Sequence, residues 1–395
     1  MISVEQAKKN ISNSCTVNQI IKSDILSSVG FILAEDVNAK INIPGFNNSA
    51  MDGFAIQHQD IENGITEFHV LKEVQAGDYS KEGMKSGECV PIYTGAPIPQ
   101  GADSIIMVEK TTIINGKMLV EKDYKSKKGK HIRLLGEQIK KGDVALTKGS
   151  LISPSTSSYL AALGETKVAV YTSPKVKIIT TGNEIIQAGN NLEFGQIYES
   201  NSTALITLLK EQKTTEVIHE TVRDSRKELL STLSNSDDFD IVILTGGISM
   251  GKYDLVADCL EEIGVKKEFH KIAQKPGKPL YFGTKNKTLF FALPGNPAAV
   301  ITSYYEYIYP TIRKMMGYRN TELKQTTLSL LDEVRIKANR STFLKGQIEK
   351  EGVKVLFGQG SHILSSFAVA DCLIYLPQGK EVWKKGEKVE VHILP

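Results

Sequence analysis

No CxxC pair, no HExxH or HxxxH pair and no apolar run of about 18 residues occurs in this chain of 395 residues. The first two absences speak against a thiolate or zinc centre, because structural and catalytic zinc need closely spaced ligands. The third speaks against a membrane helix. The four cysteines, Cys15, Cys89, Cys259 and Cys372, are scattered, which suits a reducing cytoplasm. Charge of one sign is also missing: 48 Lys and Arg against 45 Asp and Glu leave a net charge of +3. Such balance predicts no broad basic face, so nucleic acid is not expected as a partner. The opening Met1–Gln6 lacks the basic flank and apolar run of a secretory signal, and Ser3 with Gln6 reads instead as a capping box opening a helix.

What is present falls into four regions. Residues 1–46 mix short amphipathic helices with a strand near Phe31–Val37, and the same mixed texture returns in 138–171, where helical patterning around Ser157–Leu163 stops at Gly164. Between them, residues 47–137 read as strands, with Asn115-Gly116 placed where a tight hairpin needs positive φ. Residues 172–318 alternate strands (Lys175–Thr181, Glu216–Val222, Asp240–Thr245, Thr288–Leu293), several of them continuously apolar, with helical stretches (Ser202–Gln212, Ser225–Leu233, Asp254–Ile263). That alternation predicts a mostly parallel sheet covered by helices on both faces, a three-layer α/β/α domain. Residues 322–395 are strand-rich again and predict a small β-barrel or sandwich.

The segments fit for chemistry cluster where strands end. Thr181-Gly182-Asn183-Glu184, Thr245-Gly246-Gly247-Ile248-Ser249-Met250-Gly251 and Leu293-Pro294-Gly295-Asn296-Pro297 each follow a strand of the α/β region. Open α/β sheets bind ligands outside the carboxyl ends of their strands, and glycine there lets backbone N–H groups approach an anion. A βα turn needs glycine in any case, but three such loops in one sheet favour an anionic ligand. Lys275-Pro276-Gly277-Lys278-Pro279 displays two ammonium groups on a backbone restricted by two prolines, an arrangement suited to phosphate or an oxyanion. The basic run Lys122–Arg133 reads as a solvated loop.

Carboxylates stand beside these loops: Glu184, Glu199, Asp224 and Asp254. Each is explained equally well as a helix cap or dipole partner and as a ligand of Mg²⁺, which takes one or two carboxylates plus substrate oxygens. Gly247-Ile248-Ser249-Met250-Gly251 also fits the G-x-S-x-G elbow of serine hydrolases, with Asp371 and His392 following in the required order. Both partners would have to come from the separate C-terminal β region, which disfavours that reading.

Taken in order, the segments resemble one family from end to end. Asn48-Ser49-Ala50-Met51-Asp52-Gly53-Phe54-Ala55, Thr94-Gly95-Ala96-Pro97-Ile98-Pro99 with Gly101-Ala102-Asp103, Gly195-Gln196-Ile197-Tyr198, T-G-G-x-S-x-G, K-P-G-K-P and L-P-G-N-P are similar to the successive signatures of molybdopterin molybdenumtransferases, the MoeA family to which the gephyrin E domain also belongs. The resemblance implies a four-part chain: 1–46 with 138–171, the insert 47–137, a molybdopterin-binding part 172–318 and a β part 322–395. It implies a cytoplasmic homodimer working with other proteins of the cofactor pathway. The implied reaction is Mg²⁺-assisted: adenylylated molybdopterin and molybdate give molybdenum cofactor and AMP. Carried over residue by residue, Asp52 and Thr94 belong to the functional cleft, and Glu184, Asp224 and Asp254 form the acidic set for Mg²⁺ or water. Gly246, Gly247 and Ser249 cradle a phosphate, alongside Pro294, Gly295 and Asn296. Lys275 and Lys278 bind molybdate or phosphate, and Arg340 and Ser361 join the oxyanion pocket.

The chain departs from the family pattern at Gln138 and Asn183, where acids are usual, and at Glu199, Lys252, Ala299 and Asp371-Cys372. The alternative of a non-catalytic pterin-binding or scaffolding protein draws on the lost acid at 138. Retention of Asp52, Glu184, Asp224, Asp254, Lys275 and Lys278 favours the enzyme.

Overall fold

The computed structural model describes residues 1–78, 83–248 and 255–395. Its first helix, Val4–Ser14, is capped by Ser3, whose Oγ accepts the Gln6 N–H at 3.1 Å. Only half of the capping box forms, because the Gln6 amide reaches forward to Asn10 Oδ1 at 2.6 Å rather than back to the cap. Val4, Ala7 and Ile11 recur at helical spacing and bury against the α/β core. The chain then interleaves its early and later segments: Ile20–Asp24 pairs antiparallel with Lys167–Tyr171, and Val37–Asn38 with Val144–Leu146.

Residues between these segments build a six-stranded sheet in the order Ser104–Met107, Gly53–Ile56, Glu88–Ile92, Glu67–Val70, Lys117–Val120, Thr111–Ile114. Its last two strands form a hairpin whose turn residues, Asn115 and Gly116, have φ of 52° and 77°. A two-residue turn of that hand matches the strand twist, which is what the Asn-Gly pair predicts.

The central sheet orders its strands Val217–Val222, Val176–Thr181, Ile241–Thr245, Thr288–Leu293, Tyr281–Lys285, Lys266–His270. The first four are parallel and the last two antiparallel, so the sheet is mostly parallel with an antiparallel edge. Alternate residues feed two cores. Ile178, Ile243 and Phe291 meet Leu205, Leu209 and Val300 on one face. Ile179, Val242, Leu244 and Phe290 meet Leu229, Leu233, Val256 and Leu260 on the other. Burial on both faces is why Ile241–Thr245 and Thr288–Leu293 read as nearly unbroken apolar runs.

The C-terminal strands Lys324–Ser329, Lys388–Ile393, Cys372–Leu376, Ser341–Glu349 and Gly352–Val355 pair in that order. The sheet curls until Val353 bridges Leu330, closing it into a small barrel. Gly352 permits the closure, because a Cβ there would fall on the Ser329 carbonyl oxygen. All four cysteines are free and buried, and among the described residues no helix is long and apolar enough to cross a membrane.

Candidate functional site

Three loops meet at the carboxyl ends of the parallel strands. Thr181, the last residue of its strand, donates its hydroxyl to Asp224 Oδ1 at 2.6 Å, and the Asp224 N–H donates to Asn183 Oδ1 at 3.3 Å. Asn183 thus keeps the accepting role an aspartate would have there, without the charge. Gly246 has φ of 92°, and a Cβ on it would stand 2.0 Å from the Thr181 carbonyl oxygen. Gly247 has φ of 63°, and its Cβ would stand 2.7 Å from Val256 and 4.0 Å from Asp224 Oδ1. These glycines are demanded by the packing of the loops themselves. Gly246→Ala is therefore expected to destabilise the protein by at least about 2 kcal/mol, checked by denaturant unfolding, because strained φ and a backbone clash coincide.

Asn201, at the start of the Asn201–Glu211 helix, spans the mouth of the sheet. Its Nδ2 donates to Thr245 Oγ1 at 2.8 Å and to the Gly295 carbonyl at 2.9 Å. Its Oδ1 is buried and has no hydrogen-bond partner among the described residues. Glu199 accepts from both the N–H and the hydroxyl of Ser202 and so acts as a helix cap. Glu184 brings a carboxylate back over its own loop, 3.0 Å from where a Cβ on Gly182 would lie. Pro294, Gly295 and Asn296 lead into the Pro297–Ser303 helix, with Pro297 in its first turn. The Ala298 N–H there donates to the Ser361 carbonyl at 3.0 Å, which brings the C-terminal barrel onto the same rim.

The cations are grouped beside this rim. Gln274 and Lys275 form a short strand parallel to Ser341 and Thr342, so Lys275 stands in register beside the residues that follow Arg340. Lys275, Arg340, Arg335, Lys337 and Lys354 line one open cleft of about 820 Å³ on the barrel. Buried Gln274 holds the loop from inside, its Nε2 donating to the Pro276 carbonyl at 2.9 Å and its Oε1 accepting from Tyr307. Gly277, with φ of 89°, packs against Gln274 and Ser303. The Lys278 carbonyl accepts the Ile272 N–H at 2.9 Å.

Asp52 and Thr94 flank strands of a different sheet, Asp52 just before Gly53–Ile56 and Thr94 just after Glu88–Ile92. The backbone N–H and the hydroxyl of Thr94 both donate to Asp52 Oδ1, at 2.7 and 2.8 Å, and these bonds hold the exposed carboxyl below its ordinary pKa. Backbone bonds between Ser49 and Ala96 and between Ile98 and Asn47 join the two segments.

Ser249 and Asp254 lie outside the described residues. The hydrolase reading fails on its histidine: His392 is buried between two carboxylates, with Nδ1 2.6 Å from Glu306 and Nε2 2.8 Å from Glu390. Asp371 accepts the Ile348 N–H instead. Asn201 and Gln274 escape sequence reasoning because Asn at a helix start and Gln in a strand have ordinary structural explanations.

Three family descriptions match successive parts of the chain: the MoeA N-terminal region (domain I and II) over residues 2–164, a probable molybdopterin binding domain over 177–314, and the MoeA C-terminal region (domain IV) over 327–394. The molybdopterin molybdenumtransferase of Haemophilus influenzae is 33% identical over 406 residues, spanning 99% of this chain and 98% of its own. That of Staphylococcus epidermidis is 33% identical over 402 residues, spanning 99% and 95%. The crystal structure of the molybdopterin biosynthesis MoeA protein of Pyrococcus horikoshii OT3 matches with a TM-score of 0.84 and 30% identity, covering 100% of both chains.

Proposed function

Because the chain belongs to the molybdopterin molybdenumtransferase family, enzymes of molybdenum-cofactor biosynthesis, we propose that it inserts molybdenum from molybdate into adenylylated molybdopterin and releases AMP. The observation that carries this reading is the meeting of the strand-end loops (Thr181, Asp224, Gly246, Gly295) with Ser361 of the barrel, beside the cleft that holds Lys275 and Arg340. The loops suit a pterin phosphate: glycines at positive φ end the strand at Gly246 and Gly247, and Asn201 ties that loop to the Gly295 loop at the mouth of the sheet. Lys275, Lys278 and Arg340 suit the oxyanion, which needs positioned cations rather than an amino-acid nucleophile. Pro294, Asn296 and Ser249 complete the phosphate side in this reading, and Asp52 with Thr94 complete the cleft.

Magnesium fits the donors present. Asp224 and Glu184 supply hard carboxylate oxygens, and among the described residues no group of three or more His, Cys, Asp or Glu forms a closed cage. A site of one or two carboxylates finished by substrate oxygens is the kind Mg²⁺ prefers. Asp224 and Glu184, with Asp254, would hold it, and when bound it supplies neutralising charge to the phosphoanhydride oxygens. Thr181 orients Asp224 through its hydroxyl, and Asn183 fixes the Asp224 backbone.

The reading extends to a chain of four domains, with 1–46 and 138–171 forming one, 47–137 the second, 172–318 the third and 322–395 the fourth. It extends also to a cytoplasmic homodimer with the active site at the subunit interface, and to contacts with other enzymes of the pathway.

The test is AMP release from adenylylated molybdopterin by purified protein and Mg²⁺, with and without molybdate. AMP release that depends on molybdate, with molybdenum retained on the pterin, is the expected result. Tight pterin binding without AMP release would overturn the reaction.

A further inference from the structure

Lys345 is a lysine where the barrel core would be expected to hold an apolar side chain. It lies mid-strand in Ser341–Glu349, and the residue is only 4% exposed. Its ammonium donates to three neutral carbonyls, Gly358 at 2.8 Å, Ile363 at 3.1 Å and Gly360 at 3.4 Å, and stands 5.5 Å over the Phe367 ring. A buried cation held by carbonyl dipoles alone pays heavily in lost hydration, and a neutral side chain would pack there more cheaply.

What those carbonyls share is their place around Ser361, with acceptors on both sides of it in the chain. The same segment is clamped a second time at the Lys345 backbone. Its N–H donates to Gln359 Oε1 at 2.9 Å, and its carbonyl accepts from Gln359 Nε2 at 2.8 Å and from the Leu356 N–H at 3.0 Å. Gln359 lines the cleft with Lys275 and Arg340. At the other end of the turn, the Ser361 carbonyl receives the Ala298 N–H at the start of the helix that follows Pro294-Gly295-Asn296. One side chain thus ties the barrel strand to the turn, and the turn to the rim of the parallel sheet.

We propose that Lys345 is a positioning residue whose buried ammonium fixes the Gly358–Ile363 turn, so that Ser361 stands in register with the Leu293–Pro297 loop and the pocket holds its tetrahedral oxyanion substrate. The inference rests on the reading of Ser361 as part of the oxyanion pocket. Lys345 itself touches no substrate. It acts through the turn, so its loss falls on affinity for the oxyanion and leaves the pterin side of the site alone.

The experiment compares Lys345→Met, Ser361→Ala and wild type in steady-state AMP release with molybdate varied, then with adenylylated molybdopterin varied, together with amide hydrogen exchange. Losing a charge-assisted anchor predicts a roughly tenfold rise in KM for molybdate in Lys345→Met. Its kcat and its KM for the pterin should stay near the wild-type values, and exchange should quicken at residues 358–363 and at Ala298 rather than through the barrel. An unchanged KM for molybdate in Lys345→Met, while Ser361→Ala raises it, would overturn the role of Lys345. Wild-type KM in Ser361→Ala would instead overturn the pocket reading itself. Equal losses toward both substrates with exchange raised throughout the barrel would reduce Lys345 to a core residue and overturn the proposal. If Lys345→Met does not fold, Lys345→Arg carries the test, since a planar fork cannot reproduce three ammonium contacts. The same molybdate-specific rise supports the proposal, and wild-type kinetics with undisturbed exchange at 358–363 overturns it.

Discussion

Lys275→Ala is expected to slow molybdate-dependent AMP release by roughly 10²–10³-fold, the scale on which one preorganised oxyanion contact is felt. The side chain is exposed on the cleft wall, so its removal leaves no cavity. The backbone stays anchored by the pairing of Gln274 and Lys275 with Ser341 and Thr342 and by the Gln274 amide beneath. Thermal stability should therefore change by no more than about 0.5 kcal/mol, as for most surface substitutions. The loss should appear in KM for molybdate as well as in kcat, because a cation that binds the oxyanion also stabilises the charge that redistributes during insertion. Lys275→Arg should recover only part of the activity: it restores charge but offers a flat fork to a tetrahedral ion. Wild-type turnover in Lys275→Ala, with molybdate varied across the KM, would remove the lysine from the site.

The parts of this site that were legible in sequence are those where a residue type has few other uses. Gly246 and Gly247 stand out because a strand followed by paired glycines is a backbone demand, and the structure shows the demand in their positive φ and in what a Cβ would strike, the Thr181 carbonyl at Gly246 and the Val256 and Thr181 side chains at Gly247. Thr288–Leu293 reads correctly to its ends because all six of its residues are buried. The antiparallel strands Lys266–His270 and Tyr281–Lys285 are missed. The first carries Lys266, Lys267 and Glu268 on a sheet margin, where charge blunts the edge and erases the apolar run that marks a strand. The helical stretch from Pro297 to Met315 is missed beyond its first turn for the opposite reason. Ala298, Val300, Tyr304, Tyr307, Ile308 and Ile312 bury it on nearly all sides, so it has no amphipathic period to read. Lys345 and Asn201 were invisible as well, since lysine in a strand reads as surface and asparagine before a helix reads as a cap. Their roles depend on which distant carbonyls the fold brings to them.

A second large effect is expected far from the rim. Glu306 sits in a π-helical turn, Tyr304–Ile308, with its side chain 1% exposed. It is 2.7 Å from Lys8 of the first helix and 2.6 Å from His392 of the last strand, so one carboxylate joins three parts of the chain. Glu306→Ala takes one of two carboxylates from the buried imidazole, which keeps Glu390, and one of two from Lys8, which keeps Glu322, and removal of one partner from a buried ion network costs up to about 3–5 kcal/mol. The pH dependence should change with it. Burial works against the Glu306 carboxylate, yet Lys8 and His392 hold it below its ordinary pKa of 4.5. Its stabilisation is complete above that value and is lost as pH falls through the lowered one. Burial also works against the His392 imidazolium, yet Glu306 and Glu390 hold it above its ordinary 6.5. That contribution is complete below 6.5 and is lost as pH rises through the raised value. Wild-type protein should then melt highest between the two ordinary values, and Glu306→Ala should melt lower, lose the acid limb and keep a weakened alkaline limb, since Glu390 still faces His392. Glu306→Gln, which keeps the shape and a hydrogen-bond acceptor without the charge, should fall between them. A Glu306→Ala melting curve that follows wild type from pH 4 to pH 9 would mean that the three segments are held by their apolar contacts alone.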